Sequence, residues 1–126
     1  MERLKRRKVI DQLFSDGKAF SVFPFRVQYM FNSLPDDVPL QAGFTVSGRN
    51  FKRAVDRNRI KRLMREAYRL QAPPLKELLL AKQMKLGLFF IYTGRELPDY
   101  NLVSEKITVI LKRVTQVINE STAKNP

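Results

Sequence analysis

Apolar and polar positions recur along this chain with different periods, and each period predicts an element. Val9, Ile10, Leu13 and Phe14 fall at helical spacing ahead of Gly17, which predicts a short helix over about 7–15. Residues 19–31 are rich in β-branched and aromatic side chains, and after Pro24 the period becomes two. Phe25, Val27, Tyr29 and Phe31 then point to a core, while Arg26, Gln28 and Met30 share a mixed face open to solvent or a ligand. Asn, Asp and Pro mark a loop over 32–39, and a further strand follows at about 40–47, alternating around Ala42, Phe44 and Val46. The 18–47 stretch has room for a third strand.

Residues 52–70 read as an amphipathic helix of unusual polarity. Ile60, Leu63, Met64, Ala67 and Leu70 gather in one arc as a core stripe. Asn58, Lys61, Arg62, Arg65 and Arg69 gather on the opposite arc, with Arg57 and Arg59 on its flanks. Pro73 and Pro74 end the helix. Leu75–Met84 has length for one or two further helical turns, and the apolar run over 86–94 reads as a buried strand. Val103, Ile107, Ile110, Leu111, Val114 and Ile118 mark a last helix over about 101–119, and residues 120–126 are expected to fray. With neither repeat nor linker, the chain reads as one α+β domain in the order α-β-β-β-α-β-α.

Charge changes the picture more than composition does. The 126 residues carry 24 Lys and Arg against 12 Asp and Glu, a net charge of +12. Such a surplus attracts polyanions by counterion release, so nucleic acid is the first partner to consider. The 52–70 segment contributes half of the surplus, and residues 1–8 form a basic arm. Lys61, Arg62, Arg65 and Arg69 repel one another at about 0.2–0.5 kcal/mol per close pair, where a solvated face would mix signs. Arginine forks also suit phosphates and base edges. Binding of phosphates relieves that repulsion.

Catalytic options are few. The chain has no His and no Cys, which excludes imidazole catalysis, zinc knuckles, thiol nucleophiles and disulfides, and fits a reducing cytoplasm. Asp36–Asp37 is the one close pair of acids, in a Pro-flanked loop where such residues serve the turn. No Gly-rich phosphate loop is present. No apolar run approaches the ~18 residues of a membrane span, and no apolar segment follows Lys8 to make a signal peptide. The mixed face bearing Arg26 and Gln28, with Phe14 beside it, suits an unpaired strand; an Arg-rich helix would equally suit a DNA groove.

The segment FKRAVDRNRIKRLMREAYR, residues 51–69, resembles the signature of the bacterial ribonuclease P protein component. RLKRRKVIDQLFSDGK at 3–18 is similar to that family's N-terminal helix, and AGFTVS at 42–47 to the strand before the signature. The resemblance implies a single-domain α/β sandwich with a left-handed β-α-β crossover, against the general preference for right-handed ones. It implies a subunit of an endoribonuclease that removes 5′ leaders from precursor tRNA, with catalysis by a large RNA subunit using Mg²⁺ and no protein active site. Arg53, Arg57, Asn58, Arg59, Lys61, Arg62, Arg65 and Arg69 would then bind the catalytic RNA. Ile10, Phe14, Arg26 and Gln28 would line a cleft for the leader, with Ile10 standing where the family often has Phe. The 48–53 loop is one residue longer than the commoner pattern and lacks a Gly near Lys52. The readings to set against this one are a general RNA- or DNA-binding module, a membrane-surface basic helix and a stand-alone nuclease.

Overall fold

The computed structural model describes residues 17–31 and 38–123. The expected 7–15 helix, the basic arm, Ile10, Phe14 and the Asp36–Asp37 loop lie outside the described residues. Three strands come first: β1 (Lys18–Val22), β2 (Phe25–Phe31) and β3 (Leu40–Val46). Two helices follow, α1 (Ala54–Gln71) and α2 (Pro73–Ala81), then β4 (Leu86–Tyr92) and α3 (Tyr100–Ala123). The third strand for which 18–47 had room is β1, joined to β2 through a two-residue turn with a cis Phe23–Pro24 peptide.

The sheet order is β1-β2-β4-β3. β2 pairs antiparallel with both β1 and β4, while β3 runs parallel to β4 with Phe44 opposite Phe90. A parallel pair needs a crossover connection, and α1 with α2 supplies it. The interior position of β4 explains its nearly continuous apolar sequence, LGLFFIY, in which only Ile91 is not buried.

Strand alternation sorts the sheet into two faces. Phe25 and Val27 of β2, Leu40, Ala42 and Val46 of β3, and Leu86, Leu88, Phe90 and Tyr92 of β4 join the helices in one core. Helix α1 contributes Ile60, Met64, Ala67 and Tyr68, and α3 contributes all six of its expected apolar positions. The Tyr68 ring meets Phe44 and Phe90 edge-on at 5.6 and 5.5 Å, and Phe44 stacks on Phe90 at 5.3 Å. Buried away from water, the Tyr68 phenol is pushed far above its ordinary range. At the outer edge of the sheet, Arg113 of α3 lies 4.6 Å over the Phe20 ring.

Helix α1 is rotated relative to its expected stripe. Leu70 is 58% exposed, whereas Tyr68 is 2% exposed. The continuation of the Ile60–Met64–Ala67 row is Gln71, one position past Leu70 and polar. Its amide Nε2 donates to the Ser104 backbone oxygen at 3.1 Å and to Ser104 Oγ at 3.3 Å, and its Oε1 accepts from Thr108 Oγ1 at 2.6 Å. A polar clamp to α3 thus holds the place that an apolar template assigns to leucine.

Capping sets the remaining boundaries. Helix α2 starts on Pro73 and Pro74, whose missing N–H groups are not needed in a first turn. It ends in a Schellman arrangement: Gln83 N–H donates to Leu80 O at 3.2 Å and Met84 N–H to Leu79 O at 2.9 Å. Gln83 takes the left-handed conformation (φ 56°) that glycine usually supplies there. Asp99 caps α3, its Oδ1 accepting from the Leu102 N–H at 2.8 Å. That helix runs to Ala123, beyond its expected end near 119 and through part of the segment expected to fray.

These packing differences are measurable. Met64→Ala should lower stability by about 2–5 kcal/mol in urea denaturation, because its side chain is fully enclosed. Leu70→Ala should change it by about 0.5 kcal/mol or less. Equal losses would show that α1 is not rotated as described.

Candidate nucleic-acid interface

Helix α1 buries one narrow stripe, so its other faces are necessarily presented outward. Asn58, Arg59, Arg62 and Arg69 are exposed along it; Lys61 and Arg65 are half-buried. Arg59 and Arg62 have no hydrogen-bond or ion-pair partner among the described residues. Arg69 is engaged: its guanidinium meets Glu66 at 2.6 and 3.4 Å, and that hydrogen bond holds its pKa above the ordinary value. Both side chains are at least half exposed, so the pair adds little stability. Arg53 is the exposed N-cap residue and forms no side-chain cap. A cation there opposes the helix dipole, and Asp56 is the acid in the first turn that offsets it.

Arg57 makes contacts that Arg59 and Arg62 lack. It is half-buried on the edge of the stripe, and its Nη1 donates to the carbonyls of Phe51 at 2.8 Å and Lys52 at 2.7 Å. Those bonds fold the loop before α1 back onto the helix, and Phe51 in that loop is buried. Asn50 fastens the same loop to the end of β4, its Nδ2 donating to the carbonyls of Thr93 and Gly94, both at 3.2 Å. The sequence places Arg57 among the binding cations and gives little sign of either anchor, its own or that of Asn50. The one available signal was the position of Arg57 on the flank of the polar arc.

Arg26 and Gln28 lie on the other side of the sheet. Their parity in β2 is opposite to that of Phe25 and Val27, so they face away from α1 and α3. The structure therefore does not bring the β2 pair and the α1 cations together. Arg26 is exposed beside Ser21 and Ile91, while Gln28 is 9% exposed and sits between Ala19 and Phe89 in register. Its Oε1 has no hydrogen-bond partner among the described residues. An unmet buried acceptor of this kind costs about 1–3 kcal/mol. Met30 and Phe89 share this face, buried but outside the main core. Phe89 was expected only as part of a buried strand, and alternation from Phe90 was the signal that would have placed it here.

The chemistry this arrangement offers is phosphate contact from α1 and hydrogen bonding beside an apolar floor on the sheet. Among the described residues, no cluster of three or more His, Cys, Asp or Glu is placed to hold a metal ion. No described helix is long and apolar enough to cross a membrane.

Comparison with known proteins agrees with the sequence resemblance. A family model described as Ribonuclease P matches residues 1–115. A ribonuclease P protein component from Porphyromonas gingivalis is 38% identical over 124 residues, covering 98% of this chain and 90% of its own length. One from Chlorobaculum tepidum is 32% identical, covering 90% and 79%. Among solved structures, the ribonuclease P protein from Thermotoga maritima superposes with a TM-score of 0.67 at 25% identity, covering 90% of this chain and 97% of its own. The Staphylococcus aureus protein gives 0.67 at 20% identity, a likeness of fold.

The role of Arg57 as a loop anchor can be tested directly. Arg57→Ala should cost about 1–3 kcal/mol in denaturant unfolding through the two lost charge-assisted bonds. Arg57→Lys should recover only part of that, since an ammonium does not reproduce the fork. A wild-type midpoint for Arg57→Ala would show that these bonds do not anchor the loop.

Proposed function

The chain belongs to the ribonuclease P protein family, and from that premise we propose how its two polar surfaces are used. It is the protein subunit of the ribonucleoprotein endonuclease that matures tRNA 5′ ends, and its partners are the ribonuclease P RNA and precursor tRNA. In the proposed division of labour, the outward face of α1 binds the catalytic RNA through Arg53, Asn58, Arg59, Lys61, Arg62, Arg65 and Arg69. Arg57 shapes the approach to that face. The observation that carries this reading is the pair of exposed arginines, Arg59 and Arg62, held on a rigid helix without acidic partners among the described residues. Their mutual repulsion is relieved when phosphates sit between them.

The sheet face bearing Arg26 and Gln28 is proposed to take the leader of the precursor, together with Ile10 and Phe14. Support comes from the mixed chemistry of that face, where an exposed arginine stands beside the amide of Gln28 and the apolar Met30 and Phe89. Arg26 next to it offers charge for the accompanying phosphate. Hydrolysis in this reading belongs to the RNA with Mg²⁺. The protein's cations lower the ion concentration needed by screening phosphates where the RNA strands crowd. A cytoplasmic site of action accords with the family and with a chain free of cysteine.

Two measurements test the division. Arg62→Ala should weaken assembly with the ribonuclease P RNA and reduce the slope of log K against log salt by about 1. The holoenzyme carrying it should need more Mg²⁺ to cleave precursor tRNA. An unchanged slope would remove α1 from the RNA interface. Gln28→Leu should leave stability equal or raised, because it deletes the unmet acceptor. It should also narrow the preference of the assembled enzyme for precursor over mature tRNA; an unaltered preference would exclude Gln28 from the leader site.

A further inference from the structure

A sizeable groove lies at neither of these faces. It measures about 760 Å³ and is formed where the β1–β2 turn meets the segment between β4 and α3. Phe23 stands at its rim, 79% exposed, the most exposed large apolar side chain described. Leu97, 47% exposed, lies in the same groove. A ring so placed leaves a large apolar area in water unless something covers it.

The turn that carries Phe23 is pinned. Thr93 donates twice to the Pro24 carbonyl, from its N–H at 2.8 Å and from Oγ1 at 3.0 Å. Beneath it, Gly94 packs so tightly that a Cβ there would lie 2.5 Å from the Tyr92 hydroxyl and 3.1 Å from Pro24 Cβ. Tyr92 in turn donates to Glu96 O at 2.6 Å. The ring is therefore held on a preorganised platform, and covering it loses little conformational freedom.

Charge identifies what covers it. Arg95 and Lys106 line the groove with Glu96 and Asp99, so the groove itself is balanced. The surplus is next door: Arg49, Lys52 and Arg53 are all exposed on the loop that Asn50 ties to the Thr93 and Gly94 carbonyls. That loop leads directly into α1. An apolar ring in a neutral groove, bordered by cations continuous with the RNA-binding helix, matches an unpaired nucleotide: its base on the ring, its phosphates on the loop.

We propose that Phe23 is a second contact for the catalytic RNA, stacking on an unpaired base in the groove between the β1–β2 turn and the 93–99 segment, with Arg49 and Lys52 taking the flanking phosphates. This rests on the assignment of α1 to the RNA subunit and extends that interface to the end of the sheet.

The chain contains no tryptophan, which makes the test direct. Phe23→Trp provides the one indole in the chain, at the platform, selectively excited at wavelengths where tyrosine does not absorb. Its emission should be quenched on adding ribonuclease P RNA and unaffected by precursor tRNA alone. Phe23→Ala should weaken binding of the RNA about tenfold with an unchanged salt slope, as loss of stacking without loss of charge requires. Arg49→Ala should lower the slope by about 1. Unquenched indole emission from the Phe23→Trp protein, or wild-type affinity for Phe23→Ala, overturns the proposal, as does quenching by precursor tRNA alone. Wild-type behaviour at position 23 with the expected loss at Arg62 would overturn this contact alone; failure of the unaltered protein to bind the RNA would overturn the reading beneath it.

Discussion

The packing of α1 against the parallel β3–β4 pair is the constraint on which the other features depend. A parallel pair cannot be closed by a tight turn, so the chain must leave the sheet and return, and α1 is the main body of that excursion. The Tyr68, Phe44 and Phe90 rings lock the helix at one rotation about its axis. With that rotation fixed, the direction of every arginine on the helix is fixed as well. Aromatic contacts in the interior thereby aim charges at the surface, and the Gln71 clamp to α3 prevents the C-terminal end from turning.

The charge pattern of α1 is costly to the isolated protein, because like charges repel along one helix face. Stability alone would favour acids between the cations of α1, as Glu66 does for Arg69. The same logic covers the exposed ring of Phe23. Both are left in a poor environment by the fold, and both would find a good one against RNA. Where such groups occur on rigid elements, they retain their geometry without the ligand and little ordering is required on association.

Position on the helix circumference separates residues of similar chemistry. Arg57, Arg59 and Arg62 belong to one short stretch, yet the first reaches inward to two carbonyls while the others are exposed and make no hydrogen bond or ion pair among the described residues. An arginine that anchors a loop and one left without a partner are indistinguishable as letters. Their roles diverge because the stripe sits slightly toward Tyr68, bringing the Arg57 side within reach of the preceding loop.

Periodicity determined much of this protein unaided. Alternation placed Arg26 and Gln28 on the face away from the core, the six apolar positions of α3 are all buried, and the polar arc of α1 lies outward. These features depend on local geometry, since strand and helix periods are set by the backbone alone. The family was legible too, in the RNRIKR segment. The end of α2 was not, because Gln83 occupies a left-handed position that sequence rules reserve for glycine. Nor was the burial of Tyr68 over Leu70, the anchoring by Asn50, or the exposure of Phe23 above its groove. Each of those is decided by which distant segment arrives alongside, and hydrogen bonds between residues more than forty positions apart leave no periodic trace in the chain.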